Sequence, residues 1–165
     1  DLICAALIEE RDTEIALSPG FWWGTSLLPG APITVEDIHN MTSISFPEVC
    51  RSPMTGERLK AIMEDVADNL FNADPYYQQG GDMIRCGGVG YTIDPRRSYG
   101  QRIADMTLLK SGQRVEAGQE YMVASWACGA DNVEGPPIWD LVERYVARKK
   151  VISSAPVSAI LKIDR

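Results

Sequence analysis

The sequence predicts an α/β (α+β) domain in which a few amphipathic helices pack against short strands. Three observations predict it. From Thr55 to about Phe71, the apolar residues Leu59, Ile62, Met63, Val66, Ala67, Leu70 and Phe71 recur at i, i+3, i+4 and i+7, the period of one helix stripe. Later, Gly90–Asp94, Gln101–Leu109 and Glu120–Trp126 read as strands, separated by clusters of turn-forming residues. The length of 165 residues, 45% apolar and 24% charged, suits one ordinary domain with a real core.

Taken in order, Leu2 to Glu10 forms a first helix, with Leu2, Ile3, Ala6 and Leu7 on one side. Glu14–Leu17 is a short strand stopped by Ser18-Pro19-Gly20. Phe21-Trp22-Trp23-Gly24 then holds three aromatics between glycines, a pattern that suits stacking on a ligand or partner as well as packing over strand ends. Thr34 caps a short helix whose first turn carries Glu36 and Asp37. Thr42–Pro47 is expected to be extended and to run on through Cys50 and Arg51, with Pro47 placing it near an edge. In the long helix that follows, Glu57, Lys60, Glu64, Asp65 and Asp68 are expected to form a solvated face. Pro137 suits the start of a last helix, buried through Ile138, Leu141, Val142, Tyr145 and Val146. Residues 151–165 are expected to be a loosely ordered, partly extended tail of the single domain 1–165.

Composition excludes several functions. A formal charge of −7 disfavours nucleic acid as a partner, and no apolar run is long enough to cross a bilayer. The start, Asp1-Leu2-Ile3-Cys4, does not read as an intact signal peptide. Cys4, Cys50, Cys86 and Cys128 form no CxxC pair, so a zinc knuckle is not expected, and the choice between disulfides and free thiols stays open. His39 is the only histidine and reads as a polar residue at a helix end. No cofactor or metal is expected in this chain.

One stretch stands apart. Asp74–Gly90 sets five glycines around Tyr76, Tyr77, Gln78, Gln79, Asp82 and Arg85. Glycine lets backbone approach a ligand, tyrosine offers an aromatic face, and arginine offers a planar fork for sulfate, phosphate or carboxylate. A loop so composed is expected to face a ligand.

Ser18-Pro19-Gly20-Phe21, Asp65–Phe71, Asp74–Met83 and Glu134–Trp139 together resemble SoxB, the thiosulfohydrolase family of bacterial sulfur oxidation and a relative of the 5′-nucleotidases. The resemblance covers nearly the whole chain but only the C-terminal domain of such an enzyme. It implies a 5′-nucleotidase C-terminal-domain-like mixed sheet packed with helices, in a periplasmic hydrolase. It also implies a preceding metallophosphoesterase domain, outside these residues, with two metal ions, manganese in SoxB. The implied substrate is a cysteine S-thiosulfonate on the carrier SoxYZ, from which sulfate is released. Substrate-binding positions then follow: Tyr76, Tyr77, Gln78, Gln79, Asp82 and Arg85 in the cleft-facing loop, Trp22 and Trp23 toward the carrier, and Trp126 where nucleotidases stack a base. No catalytic residue is assigned, and the chain alone is expected to be inactive. One departure is evident, because Trp22 stands where the family pattern Gly-Phe-Arg-Trp-Gly has arginine. A nucleotide-binding domain of a 5′-nucleotidase and a stand-alone interaction module are the alternatives.

Overall fold

The computed structural model describes residues 1–20, 26–44, 46–127 and 135–152, together with the backbone of 159–163. Helices α1 (Leu2–Arg11), α2 (Val35–Thr42), α3 (Gly56–Phe71) and α4 (Ile138–Lys149) alternate with strands β1 (Ile15–Ser18), β2 (Val49–Thr55), β3 (Arg85–Gly87), β4 (Val89–Ile93), β5 (Ile103–Leu108), β6 (Glu120–Trp126) and β7 (Ala159–Ile163). One sheet has the order β2-β6-β1-β3 and the other β5-β4-β7. Strands β1 and β6 run parallel, as do β4 and β7, and the remaining pairs are antiparallel. The mixed α/β prediction therefore holds.

Local chemistry explains the helix starts. Thr34 and Asp37 cap α2 reciprocally: the Asp37 amide donates to Thr34 Oγ1 at 3.2 Å, and the Thr34 amide donates to Asp37 Oδ2 at 2.8 Å. Thr55 Oγ1 accepts from the Arg58 amide at 3.2 Å and so opens α3. Thr42, expected to be extended, instead closes α2, and the following strand begins at Val49. That strand lies at an edge of its sheet and tolerates Pro53 there.

Two apolar clusters sandwich the four-stranded sheet. Ala16, Val49, Ala124 and Trp126 meet α1, α2 and α4 on one face. Ile15, Leu17, Cys86 and Val123 meet α3 and the three-stranded sheet on the other. Cys4 and Cys86 thus belong to opposite faces, and Cys4, Cys50 and Cys86 are free thiols. Gly88 makes the bend from β3 in one sheet to β4 in the other. Its φ is +77°, and a Cβ there would collide with the Glu14 carbonyl oxygen.

The acids of α3 do not form one solvated face. Glu64 is 2% exposed and accepts from the amides of Gly100 (3.0 Å), Arg102 (3.2 Å) and Ile103 (2.8 Å), and from Lys60 Nζ (2.9 Å). A buried carboxylate saturated in this way ties the β4–β5 connection to the helix. Ile62, Val66 and Leu70, expected to be core, are only partly buried, while Leu59, Met63 and Ala67 are fully so. Within the tail, β7 joins β4 in parallel with Gly90 opposite Ala159.

Candidate functional site

Parallel strands leave an open crevice beyond their carboxyl ends, where α/β sheets commonly receive ligands. Here β1 and β6 end side by side at Ser18 and Trp126, and β3 begins beside them at Arg85, opposite Ser18. Two clefts open at this edge. The first, about 360 Å³, lies on the α1/α2 face and includes Cys4, Ser18, Met41, Arg85 and Trp126. The second, about 650 Å³, lies on the α3 face, with apolar walls from Leu17, Met54, Ile62 and Val66 and polar groups from Ser52, Arg58 and Asp82. Ile62 and Val66 stay partly exposed because they line it. Ser18, Pro19, Gly20 and Trp126 border both clefts. A Cβ on Gly20 would sit 2.7 Å from Asp82 Cβ, so a larger residue would push the two loops apart.

Trp126 differs from the expected stacking platform. It is 3% exposed, packed in the cluster of α1, α2 and α4, and its indole Nε1 donates to Ser18 Oγ at 2.9 Å. It is the shared inner wall of the clefts, with no open face for a base. A buried indole N–H usually finds such a partner.

Arg85 is exposed at the mouth of the first cleft and makes no side-chain hydrogen bond or ion pair among the described residues. Its positive field favours the anionic forms of Cys4 and Tyr91, yet burial wins at both, pushing the thiol up to about 11 and the phenol up to about 12. Burial likewise pushes the Cys86 thiol up to about 12. Cys4 and Cys86 are therefore neutral near pH 7 and unsuited to nucleophilic attack.

Tyr76 and Tyr77 line neither cleft. They sit on a single 3₁₀ turn, Pro75–Tyr77, and are 95% and 67% exposed. Gln78 and Gln79 follow, also exposed, and Gln78 Nε2 donates to the Asn72 carbonyl at 2.7 Å. The structure thus brings Arg85 to Trp126 in one cleft and Asp82 to Trp126 in the other, and leaves Tyr76–Gln79 projecting from the surface. Trp22, Trp23 and Cys128 lie outside the described residues. Sequence reasoning missed Arg58, whose signal was its place one turn into α3 beside the cleft-lining Ile62. It also missed the support given by Asp68 and Arg102. Arg102 is 5% exposed and donates to Asp68 Oδ1 at 2.6 Å.

His39, at the end of α2 as expected, lies 5.5 Å from the Trp139 ring between centroids. Among the described residues, no group of three or more His, Cys, Asp or Glu side chains could hold a metal ion, so these residues do not fit a dinuclear centre. No helix among them is long and apolar enough to cross a membrane.

The fold and the crevice define a class. The chain belongs to the 5′-nucleotidase C-terminal domain family, whose model matches residues 1–140. Among solved structures it is similar to the Thermus thermophilus sulfate thiohydrolase SoxB in complex with glycerol, at 28% identity and a TM-score of 0.83 over 97% of this chain and 31% of that one. A Staphylococcus aureus protein assigned as a 5′-nucleotidase, in complex with α-ketoglutarate, matches at 18% identity and TM-score 0.75, over 99% of this chain and 36% of that one. A 5′-nucleotidase precursor, also from Thermus thermophilus, matches at 18% identity and TM-score 0.69, over 98% and 35%. The chain therefore spans about a third of the length of these proteins. No curated protein sequence matches it.

Proposed function

We propose that this chain is the substrate-recognition domain of a SoxB-type, periplasmic hydrolase that releases sulfate from a cysteine S-thiosulfonate carried by SoxYZ. The observation that carries the reading is Arg85, a guanidinium with no partner among the described residues at a crevice beyond two parallel strand ends. Such a fork suits the sulfonate oxygens of a thiosulfonate. The greater identity to the SoxB structure than to either nucleotidase-type structure, 28% against 18%, supports the choice of substrate class.

In this reading the metal chemistry, manganese in SoxB, belongs to a preceding metallophosphoesterase domain, and this chain contributes position. Arg85 holds the anionic end. Asp82, Gln78 and Gln79 offer hydrogen bonds to the carrier's peptide, and Tyr76 and Tyr77, with Trp22 and Trp23, offer aromatic contact. Trp126 acts from within, setting Ser18 and the ridge between the clefts. Positioning of this kind is catalytically substantive, because a misplacement of about 1 Å can cost ~100-fold in rate.

The test is sulfate release from a thiosulfonate-charged carrier by the native polypeptide that contains this chain. Arg85→Ala is expected to raise KM for the carrier at least about tenfold, the loss of one charge-assisted hydrogen-bond pair. Unchanged KM and kcat would refute the assignment. The family match favours one rival, a nucleotide as substrate, and hydrolysis of AMP with no release of sulfate would establish it instead.

A further inference from the structure

We infer that Asp68, gripped by the buried Arg102 and bonded to Asn72, is a positioning residue that fixes the Tyr76–Tyr77 turn in the exposed pose that meets the carrier. The inference rests on the reading above for what the turn contacts, and on hydrogen-bond geometry alone for how the turn is held.

A surface turn flanked by Ala73 on one side and Gly80-Gly81 on the other has little apolar contact to order it. Here it is ordered by a continuous run of hydrogen bonds. Arg102 comes from the start of the β5 region; its Nη1 donates to Asp68 Oδ1 at 2.6 Å and its Nη2 to the Phe71 carbonyl at 3.2 Å. Asp68 Oδ2 accepts from Asn72 Nδ2 at 2.8 Å. The other end of that amide, Asn72 Oδ1, accepts from the Asp74 amide at 2.9 Å, and Asp74 Oδ1 accepts from the Tyr76 amide at 3.0 Å. Gln78 Nε2 and the Gly80 amide close the loop back on the Asn72 and Asn69 carbonyls at 2.7 and 3.1 Å. Every link from the buried guanidinium to the exposed tyrosines is thus a hydrogen bond of ordinary length.

Two features argue that this run serves the turn and not only the helix. The run does not stop at the Arg102–Asp68 pair but continues through Asn72 and Asp74, both beyond the end of α3, to the Tyr76 amide. The turn so held presents two tyrosines to solvent at 95% and 67% exposure. Holding aromatics rigid before contact reduces the ordering cost of binding, which is how tyrosine-rich binding surfaces gain affinity.

The experiment is ¹⁵N relaxation on the full 165-residue chain, comparing wild type with Asp68→Ala and Asn72→Ala. The second variant cuts the turn from Asp68 but leaves the Arg102–Asp68 pair, so it guards against a general loss of stability in the first. Order parameters of Tyr76, Tyr77 and Gln78 are expected to fall from about 0.85 to below about 0.6 in both variants, with Val123 and Ala124 of β6 unchanged. Asp68→Asn, which keeps an acceptor for one partner, is expected to recover part of the order. Order parameters that stay near 0.85 in both alanine variants would overturn the inference. In the native polypeptide the same variants are expected to raise KM for the charged carrier severalfold with kcat unchanged. Loss of order without any change in KM would leave Asp68 as the residue that positions the turn, and would refute the carrier-contact reading instead.

Discussion

Two of the charged networks among the described residues differ in their surroundings. On the outer face, Glu9 and Glu10 of α1 meet Arg144, Arg148 and Lys149 of α4, with side chains of Arg144 and Arg148 more than half exposed. On the other side of the sheet, Glu64 and Arg102 are 2% and 5% exposed, and Asp68 joins them. The outer network is screened by water and salt and clamps two helices already packed through apolar residues. The inner one is centred on two groups shielded from water, and losing a partner of Glu64 or Arg102 would leave a buried polar group unsatisfied, while Asp68 stays partly exposed. Charge count does not distinguish them; solvent does.

The largest expected effect lies in the inner network. Glu64→Ala would strip partners from the amides of Gly100, Arg102 and Ile103 and is expected to cost about 3–5 kcal/mol in denaturant unfolding. A loss no larger than that of an exposed acid would erase the contrast. Next comes pH. The Arg102 hydrogen bond, and then that of Asn72, hold the Asp68 carboxyl below the usual carboxylate range. Its stabilising contribution is fully present above the unfolded value of about 3.9 and is lost as pH falls through its lower folded value. Asp68→Asn is therefore expected to remove that part of the acid dependence, read from denaturation midpoints between about pH 5 and pH 2. The smallest effect belongs to Glu10→Ala, which should barely move the midpoint at low salt and not at all at high salt. A large, salt-insensitive loss there would show that the outer clamp is stronger than its exposure allows.

The same contrast marks what the sequence could disclose. Helices were legible because their signals are local: Thr34 with Asp37, Thr55 before a long stripe, and Pro137 ahead of Ile138. The Asp74–Gly90 stretch was marked by composition as a single loop, but its second part forms β3 and the start of β4. Glu64 was not legible, because an acid beside an amphipathic stripe looks solvated until the β4–β5 connection folds over it from 36 to 39 residues away. Strand β3 has only three residues and hides among glycines, so its pairing with β1 had no local signature. Trp126 looked like a displayed aromatic, yet its Ser18 partner lies 108 residues earlier. Each miss is a long-range partner that decides burial, and burial in turn decides what the side chain does.

The most direct measurement is a titration of the ¹⁵N-labelled chain with a short peptide bearing a cysteine S-thiosulfonate, and in parallel with AMP. The account predicts that the peptide shifts the resonances of Arg85, Asp82 and Tyr76–Gln79 while the α1–α4 clamp stays silent. Shifts absent from those residues, or produced there by AMP and not by the thiosulfonate, would contradict it.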